Sequence, residues 1–429
     1  MSVRPHFEDY ALHLASLRAA ALQAVDPAAA VSRCLTIDDL AEADRVFVVG
    51  AGKAGVAMGL AAAQILGHRL TAGIISVPQV PPQPVDRLTF VQGGHPLPTE
   101  GSLAAGHALV SLLTSSHLTP HDLVLALISG GGSALLEWPR LGVSLADLRG
   151  TNAALLKCGA AIHEINVVRQ QLSEIKGGGI LRLAHPARVL ALILSDVVGN
   201  PLSLIASGPT VPAEATRAQA LAIVEKHGLA PRLPAAVLQY LSLPRPESPS
   251  ARAPVVNRLI ASNRLAGEAA AARARELGFE AIWVADNWQG EAREAGRRFA
   301  ELVMQAPGSP AHAGQSLAFI AGGETTVTVR GQGRGGRNQE LALAAALALA
   351  GHPNCVVGTL ATDGIDGPTE AAGAVVTGAT LERARALGLD PLAFLDDNNA
   401  FPFFAALGDL VITGPTGTNV NDLIFGLRY

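Results

Sequence analysis

Apolar residues along this chain gather in short unbroken runs, not in alternation with polar ones. RVFVV at 45–49, AGIISV at 72–77, LTFVQGG at 88–94 and RVLALILSDVVG at 188–199 are of this kind, and DLVLALISGGGSALL carries an apolar strand into a glycine turn at 129–133. Helical segments separate the runs. Residues 6–31 predict an amphipathic helix, 53–66 an Ala-rich one, and about 144–176 a further helical stretch. A strand apolar at every position is buried on both faces, and its alternation with helices predicts a parallel sheet. Residues 242–254, SLPRPESPSARAP, interrupt the pattern with four prolines and read as a linker. Beyond it NRLIAS, FEAIWVAD, SLAFIAGG, TTVTV, CVVGTLATDG and DLVITG are further strand candidates. The prediction is an α/β chain of two Rossmann-like domains, 1–245 and 246–429, with largely parallel sheets and an active-site cleft between them.

Composition changes this picture mainly by exclusion. With 429 residues, 49 % hydrophobic and 16 % charged, the chain can bury the cores of two or three domains. Its net charge of −4 and lack of a basic block argue against nucleic acid as a partner. Every apolar run is broken by Gly, Pro or charge before it could span a bilayer, so no membrane partner is expected. The N-terminus carries Arg, Glu, Asp and His inside its apolar pattern, unlike a signal peptide. Cys34, Cys158 and Cys355 lie far apart and suggest no disulfide framework. A cytoplasmic protein is the expectation.

Candidate chemistry concentrates where strands end. GAGKAG at 50–55, with Gly50, Gly52 and Lys53, matches the dinucleotide fingerprint in its strand-to-helix context. The following strand ends without the acidic residue that would hold a ribose. Three readings therefore stand: a nicotinamide site, a tight βα turn, or an anion site using Lys53. In ISGGGSALL, Gly130, Gly131 and Gly132 either pack a turn or present N–H groups to a phosphate, and Ser133 lacks the surroundings of a nucleophile elbow. Asp196 follows a strand directly, as a cap, a general base or a metal ligand. Asp363 and Asp366 repeat that pattern in LATDGIDGPTEAAG, where oxygen ligands without Cys or His favour Mg2+ over zinc. GGETTVTVRGQGRGGRNQE sets Arg334, Gly335, Gly336 and Arg337 at the start of a Leu/Ala-rich helix, an arrangement suited to a polyanion. His95 in QGGHPLPTEGS reads as a structural loop residue or a ligand, and GPTGTNVNDLIFG, with Asn419, as a capped turn or a polar cleft wall. No Walker A pattern occurs. Glycine turns, Lys53, two Arg and three Asp at strand ends are the equipment of phosphoryl transfer.

VVGAGKAG, ISGGGSALL, LSDVVGNPLSLIASGPT, GGETTVTVRGQGRGGRNQE, LATDGIDGPT and TGPTGTNVNDL together resemble the class II glycerate kinases, the glycerate 2-kinase family with a C-terminal MOFRL domain. The resemblance runs from about residue 8 to 427, with the MOFRL-like region at about 315–427. It implies phosphorylation of D-glycerate to 2-phosphoglycerate with ATP and Mg2+. Members are often labelled hydroxypyruvate reductases, so an NAD(P)H-dependent reductase is the alternative. By the resemblance, Lys53 and Arg337 are catalytic cations, and Asp196 and Asp363 serve as base and metal ligand in either order. Glu324 joins the glycine turns as a nucleotide or metal contact. Lys176, Arg334 or Arg169 would meet the glycerate carboxylate, with His95 and Asn419 as further substrate contacts. Gly179 stands where the family usually has Arg. A homodimer is the assembly left open.

Overall fold

The structure is a computed structural model that describes residues 5–244, 251–305 and 315–429. The linker expected at 242–254 falls partly on residues 245–250, outside the described residues. The chain divides into two compact units, one of Pro27–Ile260, the other of the residues up to Asp26 joined by those from Ala261 on.

In the unit Pro27–Ile260 the strands are β1 (Arg45–Ala51), β2 (Leu70–Val77), β3 (Leu88–Gln92), β4 (Asp122–Ile128), β5 (Arg188–Leu194) and β6 (Val255–Ala261). They form one sheet in the order β3-β2-β1-β4-β5-β6. The ladders β2–β3, β1–β2, β1–β4 and β4–β5 are all parallel. The residues Val48, Val49, Val124, Leu125 and Leu190 are buried on both faces, which is why these strands read as unbroken apolar runs. The strand order turns back between β1 and β4, where open α/β sheets place their ligands. Ala51 sits opposite Ile128 in that ladder, so the glycine turns after the two strands lie side by side. The helical stretch expected over 144–176 is two helices, Leu145–Lys157 and Ile162–Leu172, parted at Gly159 with φ 75°.

The other unit holds β7 (Glu280–Glu291), β8 (Leu317–Thr326), β9 (Cys355–Ala361), β10 (Gly373–Thr377), β11 (Leu410–Val411) and β12 (Asp422–Arg428), ordered β11-β10-β9-β12-β8-β7. Four strands, β7, β8, β9 and β11, share one direction, while β10 and β12 run against them. Only β7–β8 is a parallel ladder; the sheet is mixed. β12 enters between β8 and β9, with Asp422 opposite Gly323 and Ala361. The TTVTV segment belongs to a strand only at its first two residues, which end β8. The core on one face is built on Phe299, Phe319, Phe403 and Phe404, all essentially inaccessible. Burial of each such side chain stabilises by about 1.5–3 kcal/mol.

The N-terminal helix Tyr10–Ala24 belongs to this second unit, not to the N-terminal domain where its position in the chain placed it. It packs along the helix Asn263–Glu276, with Arg273 donating to Ser16 Oγ at 2.7 Å. His13 bonds the Tyr429 hydroxyl at 2.8 Å. Leu14 touches the space over Gly358 in β9, and the helix is buried there at Leu14, Leu17 and Ala21.

Candidate functional site

The predicted residues fall into two groups, one in each unit. In the first, Gly50 still belongs to β1, so the loop proper is Gly52 to Ala54. The Lys53 N–H donates to Gly130 O at 2.9 Å, tying this turn to the GGGS turn after β4. The Ala54 N–H, at the start of the next helix, donates to Ser129 Oγ at 3.1 Å. That donor is therefore satisfied within the fold. A Cβ built on Gly130 would stand 2.0 Å from Asp196 Oδ2, so glycine is what lets the carboxyl lie against this turn. A Cβ on Gly131 would stand 3.0 Å from the His95 ring and 3.3 Å from Lys53 Cγ. Lys53, His95 and Asp196 thus share one glycine turn at the switch point. Burial raises the proton affinity of Asp196, and the nearby Lys53 charge works against that. Burial and Lys53 together push His95 below its ordinary value, so its imidazole is neutral at pH 7.

Ser133 ends the same turn, bonded through its hydroxyl to Ser207 at 2.8 Å. Lys176, a predicted glycerate contact, lines a small enclosed cavity beside this turn with Gly50, Gly132 and Ala206. It is 3 % exposed and paired with the equally buried Glu137. Burial lowers its pKa against the pull of Glu137. Arg169 is half-buried and donates to Asn152 Oδ1 at 2.8 Å.

The second group surrounds Arg337, first residue of the helix Arg337–Leu349. Its Nε and Nη2 donate to the two Asp422 oxygens at 2.5 and 3.1 Å, and its Nη1 lies 2.9 Å from Glu324 Oε1. Burial disfavours this charge, but Asp422, Glu324 and Asp366 outweigh it and the guanidinium pKa is raised. In the loop before the helix, the N–H groups of Gly331, Gln332, Gly333 and Arg334 are bonded within the fold. In the first turn of the helix the Asp366 carboxylate accepts from the backbone N–H of Asn338 at 3.1 Å and of Gln339 at 2.9 Å. A Cβ on Gly336 would stand 2.3 Å from that carboxyl carbon, which accounts for the glycine. Burial holds Asp366 up at about 6, against the pull of those donors.

A carboxyl raised in the folded state favours folding most where it is protonated, and the advantage is lost as pH rises through about 6. The unfolding free energy of the unaltered protein, relative to an Asp366→Asn variant, is therefore expected to fall between pH 4 and pH 7, by about 2–3 kcal/mol. Parallel urea titrations of the two across that range measure it.

A groove of about 800 Å³ opens on this group, lined among others by Glu324, Gly336, Arg337, Asp363 and Asp366. Its size suits a nucleotide. One Asp363 oxygen accepts from the Ile365 N–H at 3.0 Å in a local turn. Arg334, expected at the substrate, bonds Glu370 at 2.5 Å and the Pro368 carbonyl at 3.2 Å and lies over the Phe401 ring. Asn419 is half-buried and accepts from the Asn421 N–H at 3.1 Å. Sequence reasoning missed Asp422 as the partner of Arg337 and Glu137 as the partner of Lys176. Both contacts join distant segments, and no local spacing announces them. No cluster of three or more His, Cys, Asp or Glu placed to hold a metal, and no helix long and apolar enough to cross a membrane, occurs among the described residues.

Residues 13–242 match the family model described as a domain of unknown function, DUF4147, and residues 317–422 match the MOFRL family. The chain is 41 % identical to D-glycerate 2-kinase of Thermotoga maritima over 409 residues, 95 % of each chain. It is also 41 % identical, over 88 % of its own length and 98 % of the other, to an Agrobacterium vitis protein named provisionally as a hydroxypyruvate reductase. A crystal structure of Thermotoga maritima glycerate kinase superposes with a TM-score of 0.91 at 39 % identity, covering 98 % of this chain and all of that one. By sequence and by fold along nearly its whole length, this chain belongs to the class II glycerate kinase family of DUF4147 and MOFRL proteins.

Proposed function

We propose that this protein phosphorylates D-glycerate with ATP and Mg2+, giving 2-phospho-D-glycerate. The similarity to D-glycerate 2-kinase over 95 % of the chain carries the reading. In it, Asp196 accepts the proton of the C2 hydroxyl as the new bond to phosphorus forms. Burial suits it to the task, since a carboxyl with raised proton affinity is a better base. Lys53 neutralises charge on the peripheral oxygens of the transferred phosphoryl group, and neutral His95 orients substrate by hydrogen bonding.

The groove around Arg337 receives the nucleotide in this reading, and its charge supports a metal-bound form. Glu324, Asp363 and Asp366 line it against the cation Arg337, while Glu340, also in the lining, is paired with Arg293. Such a lining repels a bare triphosphate. Asp363 and Glu324 supply carboxylate oxygens of the kind Mg2+ takes alongside phosphates and water. Bound there with ATP, Mg2+ would neutralise the phosphate oxygens. Arg337 adds its own charge and keeps Glu324 and Asp422 in place.

The test is an assay of the purified protein with D-glycerate, ATP and Mg2+. ADP release abolished by EDTA, with 2-phosphoglycerate identified by NMR, is the expected result. Oxidation of NADH or NADPH by hydroxypyruvate, with no ADP formed from glycerate, would establish the reductase instead.

A further inference from the structure

The hydrogen-bond chain behind the GGGS turn has a fixed direction. Asn166 Nδ2 donates to the Ile162 carbonyl at 3.1 Å, one helical turn back, which leaves its Oδ1 as the acceptor facing Ser207. The Ser207 hydroxyl donates to that Oδ1 at 2.7 Å. A hydroxyl carries one proton, so towards Ser133 the Ser207 oxygen can only accept. The 2.8 Å contact between the two serines is therefore Ser133 donating to Ser207. Ser133 has no proton left for a ligand. What it presents is a pair of acceptor lone pairs.

The arrangement is built rather than incidental. Asn166 and Ser207 are buried, and Ser133 alone of the three is half-buried, so the chain ends at the hydroxyl a ligand can reach. Ala206 and Ser207 both hold left-handed backbone, with φ 50° and 61°, a conformation non-glycine residues resist. Gln170 clamps this segment by donating to the Ser203 and Ser207 carbonyls, each at 3.2 Å. Ser133 is separated by one residue, Gly132, from the pair Gly130 and Gly131, the positions lying against Asp196 and Lys53.

An acceptor without a proton suits a neutral hydroxyl and repels a phosphate oxygen. We propose that Ser133 is a specificity-determining residue that accepts a hydrogen bond from the non-reacting hydroxyl of a 2,3-dihydroxy acid, and not a phosphate ligand. This rests on the glycerate kinase reading, in which the C2 hydroxyl reacts and the C3 hydroxyl remains to be recognised.

D-Lactate, which keeps the carboxylate and the C2 hydroxyl but lacks the C3 hydroxyl, is the probe. It is followed as a phosphoryl acceptor or, where turnover is too slow to measure, as a competitive inhibitor. Ser133→Ala is expected to lower kcat/KM for D-glycerate about tenfold to hundredfold while leaving the D-lactate constant unchanged, so that discrimination between the two collapses. Ser133→Thr, which keeps the hydroxyl, is expected to retain it. Should Ser133→Ala fail to fold, Ser133→Cys serves, because a thiol is only a weak acceptor. Equal loss on both acids, or no loss on either, in an otherwise active protein overturns the role of Ser133. An unaltered protein that does not phosphorylate glycerate overturns the kinase reading first, and this role with it.

Discussion

Arg337→Ala is expected to lower turnover by about 10²–10³ and to destabilise the protein by about 2–3 kcal/mol. Both effects follow from what the side chain holds. Arg337 bonds both oxygens of Asp422, which is only 7 % exposed, and pairs with Glu324. Removing it leaves a buried carboxylate without its cation, beside a second negative charge. The cost of breaking a fully buried pair is about 3–5 kcal/mol, and the smaller figure here reflects an arginine side chain 34 % exposed to water. The two losses can be separated. Replacing both partners, as Arg337→Met with Asp422→Leu, removes the stranded charge and is expected to recover much of the stability without recovering turnover. Urea unfolding and steady-state ADP release, measured on the three proteins, check this. Recovery of turnover in the double variant would show that Arg337 has no part in the chemistry.

Lys53→Ala is expected to cost a similar factor in turnover, about 10²–10³, with stability unchanged within about 0.5 kcal/mol. Lys53 is exposed on a turn whose geometry is fixed by backbone bonds to Gly130 and by Ser129, so the fold does not depend on its side chain. A second readout distinguishes loss of its charge from loss of packing. The Lys53 ammonium holds the Asp196 pKa down against burial. Without it Asp196 stays protonated to higher pH, and the acid limb of the kcat/KM profile moves upward. Near-normal turnover, or an acid limb that does not move, would remove Lys53 and Asp196 from the roles proposed for them.

The sequence by itself determined the layered α/β class and most individual elements. A run such as RVLALIL is apolar at every position because β5 is covered on both faces, and that constraint is local enough to read. It also showed which turns matter, because chemistry at the carboxyl ends of strands leaves glycine and charge directly after an apolar run. Lys53 and Asp196 became candidates in this way, and Arg337 by its place among glycines at a helix start.

Only the tertiary structure decided who their partners are. β12 reads as an ordinary C-terminal segment, yet it inserts antiparallel between β8 and β9 and so brings Asp422 to Arg337, 85 positions away in the chain. The first helix joins the C-terminal unit through Ser16 with Arg273 and His13 with Tyr429, contacts across hundreds of residues. Asp366, from a separate loop, takes the N–H groups of Asn338 and Gln339 at the start of the helix. The direction of the Ser133 hydrogen bond depends on an asparagine and a serine from two other segments. The physical reason is the same in each case. Periodicity and turn chemistry act between neighbours in the chain, whereas a charge or a proton is assigned by whatever group folding brings within about 3 Å.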